Sequence, residues 1–277
     1  MTYATVMVGL ALDQPNEPRL QVAGDLAERF GAAIIGVAAA LFAPPLYFTD
    51  GAEAQKVIDQ GQASVKNRLA ELETQFRAAT RNRGGYVEWR GAIDFPGRCV
   101  LKHARCADII VSGGHSPAFS DAFSLASPKD LVMQVGRPLL VVPDDINWLD
   151  LRSVLIAWKD TPQARRAVVD ALPMLREARE VTIVEILEQG DDRAAVMDGI
   201  TDVVAWLARH GVTAAARIPE TSRDETAADQ LDKVAGDVGA GLIVAGAYGH
   251  SRFRELILGG VTQYLVTQSA RCVLLSH

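Results

Sequence analysis

The chain follows the same plan twice, and this repeat constrains its fold more than any other feature of the sequence. The runs TVMVGLALDQ from Thr5 and SVLIAWKDTP from Ser153 each give a short β-rich segment that leads to an aspartate, Asp13 or Asp160. A turn with proline, a helical pattern and a second apolar run follow in both halves. Short apolar runs that alternate with helices predict parallel strands buried on both faces.

Apolar spacing predicts a helix after each aspartate. The apolar residues recur at helical intervals, so that they form one stripe that a sheet can bury. The stripe consists of Leu20, Ala23, Leu26, Ala27 and Phe30 in the first half and of Ala164, Ala167, Val168, Ala171 and Leu175 in the second.

The two halves also end alike, which indicates two tandem domains. The first closes with ADIIVSGG and GRPLLVVP, and the second closes with AGLIVAGA and ARCVLLSH. The 277 residues suffice for two domains, because one domain takes roughly 100 to 200 residues. We therefore predict two α/β domains, residues 1–146 and 151–277, each with a five-stranded parallel sheet, separated by a linker within DDINWLDLRS.

The first half is the longer one. The offset between the halves is 147 residues from Asp13 to Asp160 but 134 from Arg137 to Arg271, a difference of 13. We expect the additional residues in LFAPPLYFTDGAEAQ, Leu41–Gln55. This segment could cover a site or contact another subunit, or it could pack on its own domain.

Composition and charge exclude several classes of protein. A chain that is 49% hydrophobic and 22% charged is typical of a soluble globular protein. The net charge of -6 gives no broad positive field, so we expect neither nucleic-acid nor membrane binding. No apolar run approaches the roughly 20 residues that a membrane span needs. The cysteines, Cys99, Cys106 and Cys272, form no CxxC, which with the absence of a signal sequence predicts a reduced, cytoplasmic protein.

The stretch GAYGHSRFRELILGGVT, residues 246–262, places four glycines after the buried run LIVA. In an open parallel sheet, ligands bind beyond the carboxyl ends of the strands, where the strand order reverses. Gly246 and Gly249 permit positive φ and a close approach of backbone N–H groups to an anion. Gly259 and Gly260 would open the next helix, whose free N–H groups also suit a phosphate. The spacing predicts two anion-binding turns that face one point.

Asp160 would lie beside these turns, because the first and fourth strands flank the switch point. Its carboxylate can accept hydrogen bonds from a ribose hydroxyl or an adenine amine. Asp160 or Thr161 could also cap the following helix, which has Pro162 in its first turn. The basic residues that follow the loop can contact a phosphate or face solvent; they are His250, Arg252 and Arg254.

This pattern resembles the universal stress protein family. The shared motif is G-x2-G-x9-G with a small residue after the last glycine, together with an aspartate after the first strand. The resemblance covers both halves as a tandem of two such domains. It implies a Rossmann-like fold of the adenine nucleotide alpha hydrolase-like type, with strand order 3-2-1-4-5, and ATP binding in a subset of members.

Carried over by position, the resemblance implies an ATP site in the C-terminal half, with or without Mg²⁺. Adenosine would contact Asp160 and the backbone near Ile186. The phosphates would contact Gly246, Gly249, Gly259, Gly260 and Val261.

Gly260 departs from the family pattern, which usually has Ser or Thr at this position. The loss of a hydroxyl donor costs about 0.5 to 1.5 kcal/mol for a neutral hydrogen bond. Thr262 or Ser251 could supply a hydroxyl instead. We therefore expect the departure to weaken ATP binding without excluding it.

The first half lacks the corresponding glycines. Gly113 and Gly114 are adjacent, and Leu125 and Ala126 replace the second glycine pair. Residues 1–146 are therefore predicted to be a degenerate domain of the same kind, mainly structural.

Little in the sequence points to catalysis. Cys99, His103 and Cys106 would share one face of a helix, but their spacing matches no usual zinc pattern, so we predict packing and no metal site. No serine lies in a nucleophile elbow and no carboxylates are paired for acid–base work. We predict no catalytic residues and at most slow ATP hydrolysis.

The resemblance thus implies a stress-response protein that regulates or senses through bound adenine nucleotide. Two alternatives stay open: a nucleotide-free platform for protein partners, and an enzyme of the wider fold class. The resemblance further implies that the last strands of the two halves pair within one chain. A homodimer is compatible with the sequence but not determined by it.

Overall fold

The computed structural model describes residues 2–12, 14–44, 50–83, 85–114, 123, 125–220, 225–247 and 260–277. These residues form ten strands and eight helices. The first half contains β1 (Thr5–Leu10), α1 (Glu17–Phe30), β2 (Ala33–Ala39), α2 (Gly51–Thr80), β3 (Val87–Ala92), α3 (Pro96–Ala104), β4 (Ile109–Gly113), α4 (Pro128–Gln134) and β5 (Leu139–Val142). The second half contains β6 (Ser153–Ala157), α5 (Pro162–Glu177), β7 (Glu180–Val184), α6 (Arg193–Arg209), β8 (Ala214–Arg217), α7 (Ala227–Asp237), β9 (Leu242–Gly246), α8 (Gly260–Thr267) and β10 (Cys272–Ser276).

All ten described strands belong to one sheet, in the order β3-β2-β1-β4-β5-β10-β9-β6-β7-β8. Within each half the order is the expected 3-2-1-4-5 and the strands are parallel. The α/β fold is therefore as predicted. The two five-stranded halves form one continuous sheet, because their last strands pair with each other.

The two halves meet at an antiparallel pair of strands, β5 and β10. Leu140 lies opposite Leu274, and Val141 lies opposite Val273. All four side chains are buried. The pairing confirms the expected union of the last strands, and it removes two apolar sheet edges from solvent.

Side chains outside the sheet also connect the halves. The Tyr3 hydroxyl donates a hydrogen bond to the Asp170 carbonyl at 2.6 Å. Lys129 Nζ of α4 donates to Gln263 Oε1 of α8 at 2.7 Å. The N-terminal strand region and α4 of the first half are thus tied to α5 and α8 of the second.

The helices cover the sheet as two layers. One apolar core lies under α1, α2, α5 and α6, and the other lies under α3, α4, α7 and α8. This arrangement follows from right-handed crossovers between parallel strands, which place the two helices before the reversal on one face and the two after it on the other. The apolar stripes predicted for α1 and α5 face the first core, with only Phe30 partly exposed.

The extra length of the first half lies mainly in a helix. Helix α2 has 30 residues and α6 has 17. The additional residues therefore lie mainly in α2 and not, as expected, within Leu41–Gln55. Phe42 packs on α2, since a Cβ at Gly61 would overlap its ring. This contact supports packing of the segment on its own domain, while Pro45, Tyr47 and Phe48 lie outside the described residues.

Replacing Leu274 with Ala should lower the free energy of unfolding by about 2 to 5 kcal/mol, because the side chain is fully buried at the joint between the halves. Urea denaturation would measure the change. As a control, Met133→Ala removes a side chain that is 40% exposed on α4, and it should change stability by less than about 0.5 kcal/mol. Similar values for the two variants would contradict the joint as described.

Candidate functional site

The carboxyl ends of β6 and β9 lie side by side at one edge of the sheet. Ala157, the last residue of β6, is level with Ala245 of β9. The turn after β6 carries Asp160, and β9 ends at Gly246. The predicted neighbourhood of the first and fourth strands is therefore present in the second half.

Asp160 lies three residues beyond β6 rather than at its end. Its side chain is 67% exposed and forms an ion pair with Arg165 at 2.7 Å. Both Arg165 Nε and Nη2 donate to Oδ1 of this carboxylate. Helix α5 is capped by Thr161, whose hydroxyl oxygen accepts a hydrogen bond from the Ala164 N–H at 3.2 Å, and Pro162 occupies the first helical position. Asp160 is thus available for a ligand and is not needed as a cap.

Gly246 has a packing role that the sequence did not reveal. A Cβ at this position would overlap the backbone of Gln163 and Ala164, so the absence of a side chain lets the start of α5 approach the end of β9. Gly246 is not among the glycines with positive φ, so it is the absence of a Cβ and not a left-handed backbone that this position uses.

Gly260 is the first described residue of α8. It is exposed, and a Cβ there would meet nothing within 4 Å. Val261 follows it and packs partly against the second core. Gly249 and Gly259 lie outside the described residues, as do His250, Ser251, Arg252 and Arg254.

An acidic cluster follows β7, next to Ile186, near which the resemblance implies a contact with adenosine. Lys159 Nζ lies 3.6 Å from Glu185, 3.7 Å from Glu188 and 3.2 Å from Asp191. Glu185 is only 6% exposed, and burial raises the pKa of its carboxyl group. Ile186 itself is partly buried against the second core. One lysine thus faces three carboxylates at this end of the sheet.

In the first half, the side chain of an arginine occupies the space beside the end of the fourth strand. Arg19 of α1 is 2% exposed, and its guanidinium donates to the Gly9 carbonyl at 3.3 Å and to Gln14 Oε1 at 2.9 Å. A Cβ at Gly113, the last residue of β4, would overlap this guanidinium. Burial lowers the pKa of Arg19 to about 10. The cavity beside it has a volume of about 20 Å³, which is far too small for a nucleotide.

A second feature absent from the sequence prediction is a groove between α5 and α6. Its volume is about 890 Å³, and its walls are mainly apolar. Trp158, Val168, Val203 and Trp206 line it, and Asp160 lies at its rim. The signal in the sequence was the pair Ala195 and Gly199, two small residues one helical turn apart on the face of α6 that lines the groove.

The cysteine–histidine pattern does not form a shared helical face. Helix α3 ends at Ala104, so Cys106 lies beyond it and is exposed, whereas Cys99 is buried. His103 Nδ1 lies 3.0 Å from Arg90 Nη1. Across the described residues, no three His, Cys, Asp or Glu side chains come together as a metal site.

Comparison with known proteins bears on the second half directly. Residues 151–277 match the model of the universal stress protein family. The second half of the chain is a universal stress protein domain. A search of curated protein sequences finds no match to the chain.

Solved structures with the same fold cover both halves. A universal stress protein from Archaeoglobus fulgidus is similar over 98% of this chain and 95% of its own, with 18% identity and a TM-score of 0.71. A protein of unknown function from Pseudomonas aeruginosa is similar over 99% of this chain and 92% of its own, with 11% identity and a TM-score of 0.51. These likenesses show that the tandem architecture is one that universal stress proteins adopt.

A further match is a universal stress protein solved in complex with cAMP. It covers 52% of this chain and 100% of its own, with 22% identity and a TM-score of 0.34.

Among the helices that the structure describes here, none is both long and apolar enough to cross a membrane.

Gly113→Ala should lower the free energy of unfolding by about 1 to 3 kcal/mol, because the new methyl group overlaps the Arg19 guanidinium. In an Arg19→Ala background the same change should cost at least about 1 kcal/mol less, and urea denaturation of the four proteins gives this coupling. Gly9→Ala is the control, since its Cβ would meet only ordinary contacts at 3.7 and 3.9 Å. Equal costs of Gly113→Ala in both backgrounds would mean that Arg19 does not fill this position.

Proposed function

We propose that the universal stress protein domain at residues 151–277 binds one ATP, with or without Mg²⁺, and that its occupancy regulates the protein in a stress response. The observation that carries the proposal is the shared sheet edge. The turn after β6 and the end of β9 lie at the carboxyl ends of two neighbouring strands, where open parallel sheets bind ligands.

The phosphates would lie at the start of α8. Gly260 leaves open space beside the first free N–H groups of the helix, and the positive end of the helix dipole favours an anion there. In the proposed site the backbone of Val261 adds another N–H group. Gly246, Gly249 and Gly259 would complete the turn, with Gly246 also serving the packing of α5.

The nucleoside would lie toward Asp160 and Ile186. Among the described residues, both hydrogen bonds to Asp160 reach Oδ1, so Oδ2 keeps its acceptor capacity for a ribose hydroxyl. The carboxylates Glu188 and Asp191 beside Lys159 repel phosphate from this end. Charge therefore favours one orientation, with phosphates at α8 and adenosine at the acidic end.

The proposal is one of binding and regulation rather than of turnover. Hydrolysis requires a base or a positioned water beside the γ-phosphate. No described residue near Gly260 is assigned that role, so we propose at most slow hydrolysis. Cytoplasmic location is part of the same proposal, in keeping with the reduced cysteines Cys99, Cys106 and Cys272.

A nucleotide-free interaction platform is the competing function, and two observations favour it. Gly246 is explained by packing alone, and Gly260 lacks the hydroxyl usual in the family. ATP titration with thermal unfolding separates the two, because a ligand that binds only the folded chain raises the melting temperature. No rise up to millimolar ATP would favour the platform.

Gly260→Ser should tighten ATP binding up to about tenfold, because the hydroxyl adds one hydrogen bond in a space that is open. Gly260→Asp should weaken binding at least as strongly, since a carboxylate would compete with phosphate at the start of α8. Equilibrium dialysis with labelled ATP would measure both.

The matched controls are Gly97→Ser and Gly97→Asp. Gly97 lies in the first turn of α3, where a Cβ also meets nothing within 4 Å. Neither control should change ATP affinity. Binding that is indifferent to both Gly260 substitutions would place the phosphates elsewhere.

A further inference from the structure

We propose that the groove between α5 and α6 is a second ligand site, and that it binds a small alkylamine that carries an aromatic ring, with the amine protonated. This site adjoins the proposed ATP site and shares Asp160 with it, but Gly246, Gly260 and Val261 do not line the groove. Its occupant would contact the outer face of the second half, over β6 and β7.

The size and walls of the groove suit a small organic molecule. Its volume of about 890 Å³ lies within the roughly 300 to 1,000 Å³ that ligand pockets occupy. Two indole rings, Trp158 and Trp206, contribute to the walls, with Val168, Val196 and Val203 between them. Trp158 is 8% exposed, so its ring is held by the surrounding core. Rigid aromatic walls favour a flat apolar group.

The first half shows that this opening is not a general property of the fold. There α2 buries Val65, Leu69, Leu72 and Phe76, and Arg83 ties it to Asp25 and Gln21 of α1. In the second half α6 buries only Ile200 and Leu207. Two helix pairs at matching places on the same sheet therefore differ, because the second pair encloses an apolar space of about 890 Å³.

The charges around the groove favour a cation. Four carboxylates line it, and two guanidinium groups do so; they are Asp160, Glu185, Asp192 and Asp202 against Arg165 and Arg209. Arg165 is paired with Asp160, and Asp192 accepts the hydrogen bond of Ala194 N–H at the start of α6. The groove thus carries a net negative charge.

Glu185 gives this charge a definite place. It is 94% buried at the β7 end of the groove, and its ion pair with Lys159 is long, at 3.6 Å. Lys159 is shared with Glu188 and Asp191. An ammonium group near Glu185 would compensate charge that one lysine cannot, and an indole face nearby adds cation–π attraction. The aromatic part of the amine would then extend between the valines.

Three probes of equal shape test the proposal by isothermal titration calorimetry. They are 4-phenylbutylamine, 4-phenylbutanol and 4-phenylbutyrate, which have the same phenyl group and similar length but a cationic, a neutral and an anionic end group. The ammonium form should bind at least about tenfold more tightly than the carboxylate, with the alcohol between them. Glu185→Gln should reduce that preference.

Gly199 supplies the variant that locates the site. It lies on the groove wall in α6, and a Cβ there meets nothing within 4 Å. Gly199→Phe should place a ring in the part of the groove beside α6 and reduce amine binding by at least about tenfold, because the ring overlaps the position of the ligand. Gly199→Ala leaves most of the space open and is the matched control, with binding retained. Both changes favour helix α6, so loss of fold is not the expected cause.

Each of three results would contradict the proposal. They are the absence of amine binding, binding of 4-phenylbutyrate as tight as that of 4-phenylbutylamine, and full amine binding by the Gly199→Phe variant. Association of the chain in sedimentation that Gly199→Phe abolishes, without amine binding, would show that a second copy occupies the groove. Gly199→Phe should leave ATP binding unchanged and Gly260→Asp should leave amine binding unchanged, so the two proposals can fail separately.

Discussion

The parallel pairing of β6 with β9 is the contact on which the proposed chemistry of the second half depends. It brings the turn before α5 and the end of β9 at Gly246 to one sheet edge. The same pairing makes the end of β9 crowded, because α5 begins beside it. Gly246 is the physical answer to that crowding, as Gly113 is at the end of β4. A glycine at the end of the fourth strand is thus required by packing in both halves, whether or not a ligand binds there.

The two halves solve the same geometric problem differently. In the first, the guanidinium of Arg19 occupies the space beside β4. A buried cation is costly unless its hydrogen bonds are satisfied, and the carbonyl of Gly9 and the amide of Gln14 accept them. In the second half, Ala164 takes the place beside the strand and Arg165 turns outward to Asp160. The space beside the fourth strand is therefore occupied by a side chain in the first half and by the backbone of α5 in the second.

The sequence predicted the repeat and the helices α1 and α5, which follow from apolar periodicity and turn residues that act locally. The strand order within each half was expected from the resemblance to the universal stress protein family. The sequence could not predict that Arg19 points inward, because the burial of an arginine depends on which strand end its side chain meets. The α5–α6 groove was missed for a similar reason. Whether the groove exists depends on the distance between α5 and α6, which the sequence does not give. The additional residues of the first half were expected in a loop, and most of them lie in α2.

The number of ATP molecules bound per chain tests the central claim most directly. The claim is that one half binds nucleotide while the other is closed by its own side chain. Equilibrium dialysis of the intact chain with labelled ATP, carried to saturation, gives this number. One ATP per chain is the predicted result, since Arg19 occupies the first position. Two ATP molecules per chain, or none at millimolar concentration, would contradict the account.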